Sequence, residues 1–212
     1  MITVRVVGRQ PAAAENPCIE KGRTNPRLLP VDEASSSPEF SQYRARLRMA
    51  VERRDLEAVV AAADPGIRLG FDGSGGRDGL RKAFSEDPAL WDELRVVLAL
   101  GGSFPMPMAF AAPYVYSAWP GEFDALECAA VTGAKVRVRT EPRLDAPVMT
   151  AVTHSIVRLL ASSDDGMWAQ VQLADGRKGY IWRTYVRSPV YYRALFNLID
   201  GRWRMTAFVA GD

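Results

Sequence analysis

Residues 168–182 read WAQVQLADGRKGYIW, two short strands around a turn. Between Trp168 and Leu173, polar Gln170 and Gln172 alternate with apolar Val171 and Leu173, the two-residue period of a half-buried strand. Asp175-Gly176 is a tight-turn signal, because both residue types accept the positive φ that such turns demand. Gly179 to Trp182 supplies the partner strand. The same pattern continues toward the N-terminus. Ser162 to Gly166 reads as a turn, Ile156–Leu160 and Val148–Val152 as strands, and Pro142–Pro147 as a turn-rich loop. Val136 and Val138 alternate with Arg137 and Arg139. Five short strands within residues 130–188 predict a small all-β barrel.

The order of these residues resembles the bacterial Src-homology-3 (SH3) domain family over residues 131–187. The residues that carry the resemblance are Val136, Val138, Arg139 and Pro142, then Pro147 and Val148. They are followed by Trp168, Val171 and Leu173, and then by Asp175, Gly176, Gly179 and Tyr180. Arg137 stands where the family prefers asparagine, and Glu141 where it prefers glycine. The resemblance implies recognition of a peptide or peptidoglycan fragment, often beside a cell-wall enzyme and often in an exported protein, and it implies no catalysis. It also implies that Trp168 and Tyr180 pack the barrel. Trp182 and Tyr185 are then the candidate exposed platforms, with Arg139, Glu141, Asp164 and Asp165 able to hydrogen-bond a short peptide. A periplasmic or secreted location is the matching expectation. Ala12 to Ala14 has the small-residue form of a signal-peptidase site but no hydrophobic run before it, which leaves two readings of the extended arm over residues 1–37: the remnant of an export signal, or an arm with a chance run of alanines.

Beyond the barrel, residues 189–212 predict a hairpin, Val190–Ile199 and Arg202–Val209 joined by Asp200-Gly201. Tyr192, Ala194, Phe196 and Leu198 share one face of the first strand, and Trp203, Met205, Ala207 and Val209 one face of the second. Such a hairpin is too apolar to stand alone in water, and it has two homes: a sheet beneath the N-terminal helices, or the barrel itself. The first arrangement resembles, by element order alone, nuclear-transport-factor-2-like α+β domains. In the N-terminal half, Ser37-Pro38-Glu39 opens a helix running to Arg53, and Asp55 opens a second. Asp64-Pro65-Gly66 is expected to end that second helix before a strand from Ile67 to Phe71. Asp87-Pro88 opens a helix carrying Leu90, Trp91, Leu94, Val97 and Leu98 up to Gly101-Gly102. The predicted fold class is α+β: N-terminal helices on a sheet (38–129), the SH3-like barrel (130–188) and a β-hairpin (189–212) that completes the sheet of the first domain.

With 27 basic and 25 acidic side chains the net charge is +2, too small to make nucleic acid the default partner. No run reaches the ~20 apolar residues of a membrane span. Cys18 and Cys128 are the only cysteines, and free thiols or one disulfide between arm and linker both remain open. Neither metal nor cofactor is expected, since His154 is the only histidine and reads as a solvent-facing loop residue. The glycine-dense loop from Asp72 to Gly79 fits no phosphate motif and reads as a flexible turn. Arg44, Arg46, Arg48, Arg53 and Arg54 read as a solvated helix face, and Asp78, Glu86, Asp87, Asp92 and Glu93 as caps and surface charges. No catalytic residue is assigned. Two alternative functions stay open: a small-molecule or hydrolytic N-terminal pocket lined by Phe71, Trp91, Phe110, Tyr114 and Trp119, with Asp72, Arg77 and Asp78 beside it, and a structural protein–protein or homo-oligomeric interaction module.

Overall fold

The computed structural model describes residues 16–19, 24–70 and 75–211. The alanine run from Ala12 to Ala14, the strand end at Phe71 and the loop residues Asp72, Gly73 and Ser74 lie outside the described residues. The first part of the chain forms α1 (Pro38–Glu52), α2 (Leu56–Ala62), β1 (Ala63–Arg68), α3 (Gly76–Glu86), α4 (Ala89–Ala99), β2 (Ser103–Met106), β3 (Ala109–Ala112) and α5 (Tyr114–Ser117). The strands that follow are β4 (Cys128–Val131), β5 (Val136–Arg139), β6 (Val148–Val152), β7 (Ile156–Ser162), β8 (Trp168–Gln172), β9 (Lys178–Trp182), β10 (Val186–Arg187), β11 (Arg193–Ile199) and β12 (Arg202–Val209).

The helix starts follow local chemistry. Ser37 accepts a hydrogen bond from the Phe40 N–H at 3.3 Å with Pro38 in the first helical position, and Asp55 accepts from the Ala58 N–H at 3.0 Å. The second helix ends at Ala62, just ahead of Asp64-Pro65-Gly66, but the strand begins earlier than expected, so that these three residues lie inside β1. β1 is an edge strand paired only with β12, and an edge tolerates a proline that cannot donate to the ladder.

The fold is α+β with two sheets. The first has the order β1-β12-β11-β3-β2, so the C-terminal hairpin lies at its centre, with β11 against β3 and β12 against β1. Helices cover one face: Phe40, Leu47, Leu94 and Val97 pack with Phe110, Phe196, Met205 and Phe208 of the sheet. A bulge corrects the expected facing of β12. Leu195 pairs with Ala207 while Phe196 pairs with Met205, so Thr206 is the extra residue, and its hydroxyl donates to the Leu195 carbonyl or to Asn197 Oδ1. The parity then flips, so that Phe208 rather than Ala207 and Val209 joins Trp203 and Met205 in the core.

The second sheet, order β10-β4-β7-β8-β9-β5-β6, is formed by residues lying between β3 and β11 in the sequence. Its first and last strands, β4 and β10, pair with each other, so the chain leaves and re-enters at one place. Val152 on β6 and Val186 on β10, at opposite ends of the strand order, share a core with Val138, Val157, Val171 and Ile181, so the sheet curls strongly. Among the described residues no helix is long and apolar enough to cross a membrane.

A third cluster packs the arm and α5 against the second sheet. Cys18 and Leu28 of the arm pack with Tyr114, Val115, Phe123, Cys128 and Ile156, and Cys18 and Cys128 form a disulfide. The arm runs on across both sheets. Pro26 O accepts from the Ile156 N–H at 2.7 Å, the Leu28 N–H donates to His154 O at 2.8 Å, and the Glu33 N–H donates to Gly102 O at 2.9 Å. Beside it Asp32 accepts two hydrogen bonds from Arg44, each 2.8 Å, and one from the Ala34 N–H. Partial burial opposes the Asp32 charge, but the Arg44 and Ala34 bonds outweigh it and hold the carboxyl below its ordinary value. A depressed folded pKa contributes stability that is complete above the ordinary value of 3.8 and is lost as pH falls through the depressed one. Melting temperatures measured from pH 7 downward should therefore fall less steeply below pH 3.8 in Arg44→Gln than in wild type, and parallel curves would refute this role.

Candidate functional site

Period-two alternation on β5 buries Val136 and Val138 and turns Arg137 and Arg139 to the other face. Lys135 precedes them with φ at 52°, and its N–H donates to Thr153 Oγ1 at 2.9 Å. Across the sheet, Trp168 at the start of β8 pairs with Trp182 at the end of β9. Their rings meet edge to face, centroids 5.0 Å apart at 87°. Trp168 is 3% exposed and braces the half-buried Trp182.

Tyr185 follows in a single 3-10 turn, 46% exposed. Its carbonyl accepts the Thr132 N–H at 2.9 Å, which draws the 132–135 turn beneath its ring. Gly133 makes that approach feasible, since a Cβ there would come within 2.8 Å of the Val136 side chain and 3.2 Å of the Tyr185 ring. These walls and the exposed Leu144 enclose an open groove of about 450 Å³ lined also by Lys135, Arg137 and Arg139.

Of the six candidates from the sequence, Trp182, Tyr185 and Arg139 meet in this groove. The other three lie outside its lining. Glu141 accepts from Arg143 at 3.0 Å, and Arg143 also holds Asp145 at 2.7 Å. Asp165 accepts from the Ser163 hydroxyl and the Met167 N–H, which keep its carboxyl below the ordinary value, and Asp164 is exposed in the same turn. Lys135, Arg137, Leu144 and Gly133 are groove residues that the sequence reading did not single out as a site.

The other candidates are dispersed. Phe110 packs on Phe40 at 4.3 Å and Trp91 on Phe84 at 4.9 Å, centroid to centroid, inside the helix–sheet core. Tyr114 and Trp119 belong to the separate cluster around the disulfide. The Tyr114 hydroxyl is buried without a partner among the described residues, and burial pushes its pKa up to about 12. Among the described residues, the aromatic side chains offered for an N-terminal pocket are thus divided between two clusters rather than gathered around one. Arg77 donates to the Ala63 and Ala61 carbonyls, while Asp78 is exposed and pairs with Arg81. His154 differs from expectation too, being half-buried with φ at 46° and its Nδ1 buried.

Residues 134–187 match the family model of the bacterial SH3 domain. This stretch is a bacterial SH3 domain. It holds every lining residue of the groove except Gly133. Two solved structures are similar over most of the chain. One is a protein of unknown function with a cystatin-like fold from Nostoc punctiforme, 15% identical, covering 85% of this chain and 92% of its own, with a TM-score of 0.29. The other, assigned as a calcium/calmodulin dependent protein kinase II association domain from Xanthomonas campestris, is 12% identical and covers 89% of this chain and 95% of its own, with a TM-score of 0.24. No curated protein matches the chain.

In the SH3 domain the groove lining consists of basic, aromatic and aliphatic side chains with no carboxylate, histidine, cysteine or serine. Such a surface can stack on a flat or sugar-like group and hydrogen-bond to acceptors.

Proposed function

We propose that this protein is a non-catalytic, envelope-associated binding protein whose SH3 domain grips a peptide or peptidoglycan fragment in the groove of Trp182, Tyr185 and Arg139. The observation that carries the reading is the convergence of two open aromatic rings and a half-buried arginine on one groove of a domain whose family resemblance implies such ligands. The Cys18–Cys128 disulfide supports a periplasmic or secreted setting, because such links persist in oxidising compartments. The α+β part then acts as the frame that carries the domain.

Sedimentation with purified peptidoglycan tests the reading. Wild type is expected in the pellet, and Trp182→Ala is expected to bind about ten-fold more weakly, the usual loss when a central aromatic anchor is truncated. Trp182 is half-buried on the open side of the sheet, so the variant should keep its fold, which circular dichroism checks. Equal retention of both proteins would remove the groove from the binding event.

A further inference from the structure

We propose that the groove selects an anionic ligand, an extended peptide with carboxylates two residues apart, over its neutral counterpart. The inference rests on the groove being the binding site and goes on to name the chemistry of its ligand. Lys135, Arg137 and Arg139 give the lining three positive charges and no negative one. None of the three forms an ion pair with any described residue. The contrast with the rest of the domain is direct: Arg143 meets Glu141 and Asp145, Arg158 meets Glu127, Arg177 meets Asp175 and Arg187 meets Glu93. Lys178 and Arg183 also lack an acid, but both stand outside the groove, and Arg183 donates to the Val186 carbonyl and the Tyr191 hydroxyl. The groove is therefore where uncompensated charge collects.

Spacing narrows the ligand further. Arg137 and Arg139 sit two residues apart on one face of β5, roughly 7 Å along the strand, which is the repeat of alternate side chains on an extended peptide. β5 is paired with β6 from Val136 to Arg139 and with β9 at Arg139, and the charged side chains that it turns into the groove supply the recognition. Arg139 donates through one nitrogen to the Ala146 carbonyl at 2.7 Å, which fixes the guanidinium while its other N–H groups remain for a carboxylate. The residue between the two acids points away from β5, so Trp182 and Tyr185 would pack against the peptide backbone and the stems of the acidic side chains.

The test is a titration of the full chain with two blocked peptides, Ala-Glu-Ala-Glu-Ala and Ala-Gln-Ala-Gln-Ala, followed by NMR through the Trp182 indole N–H. The Glu peptide is expected to bind about ten-fold more tightly than the Gln peptide at low salt, the sum of two exposed charge pairs. That advantage should shrink in 1 M NaCl, where the screening length drops to about 3 Å. Arg137→Gln should weaken the Glu peptide about three-fold and leave the Gln peptide unchanged. Equal affinity for both peptides, lost together in Trp182→Ala, would overturn the charge selection while leaving the groove as a binding site. If the Trp182 signal moves with neither peptide, the anionic-peptide inference fails, and the peptidoglycan sedimentation result alone judges the groove.

Discussion

A chain carrying both Cys18→Ser and Cys128→Ser should lose about 4 kcal/mol of stability and melt roughly 10 °C lower than wild type. The disulfide spans 110 residues, and closing a loop of that size removes about 4–5 kcal/mol of chain entropy from the unfolded state. Both cysteines are 1% exposed, so the link is also part of a packed cluster with Leu28, Tyr114, Phe123 and Ile156. That cluster is where the arm, α5 and the SH3 sheet meet, so losing the link frees the arm from the point where it crosses between the sheets. Thermal melts of the double variant and of wild type held in reductant should coincide below the oxidised wild type. A double variant melting within about 2 °C of oxidised wild type would show that the arm is held by its backbone hydrogen bonds instead.

Local chemistry was readable from sequence wherever one or two residues settle a conformation. Ser37-Pro38 and Asp55 set helix starts through a side-chain oxygen, and Asp200-Gly201 turns the hairpin because both take positive φ, 49° and 70°. β4 escaped notice for a physical reason. Its residues, Cys128 to Val131, are small and buried on both faces, so they show no alternation. The facing of β12 was misread because a bulge is an event between strands. Thr206 becomes the extra residue only when β11 lies opposite, and no period within residues 202–209 announces it.

The groove was half legible for similar reasons. Trp182, Tyr185 and Arg139 carry chemistry that marks them in any context. Lys135, Leu144 and Gly133 become groove residues only when the 132–135 turn, the 140–147 loop and the Tyr185 turn are drawn together by the sheet. Glu141 was a weaker candidate than it looked, because Arg143 two residues on satisfies it together with Asp145. Asp165 is likewise occupied by its own turn, through Ser163 and Met167. An acid whose neighbours within two residues can neutralise it is poorly placed to serve a ligand.

Phe40→Ala should cost about 3–5 kcal/mol, read as a lower guanidinium midpoint with little change in slope. Phe40 is fully buried, and its ring lies 4.3–6.1 Å from those of Tyr43, Phe104, Phe110, Phe196 and Trp203, centroid to centroid. These neighbours come from α1, β2, β3, β11 and β12, so one side chain bridges segments that flank the SH3 sheet in sequence. Five aromatic neighbours cannot all move in to fill the space, and the cavity left behind adds to the lost transfer energy. Phe40→Leu keeps much of the volume and should cost less than about 1.5 kcal/mol. The SH3 sheet has a core of its own, and the Trp168–Trp182 contact is no part of the helix-covered core that Phe40 fills. Under native conditions the Phe40→Ala variant should therefore still sediment with peptidoglycan as wild type does. A loss below about 1 kcal/mol would contradict the aromatic core, whereas lost sedimentation in a folded Phe40→Ala protein would mean that the helix-covered sheet takes part in binding rather than only carrying the groove.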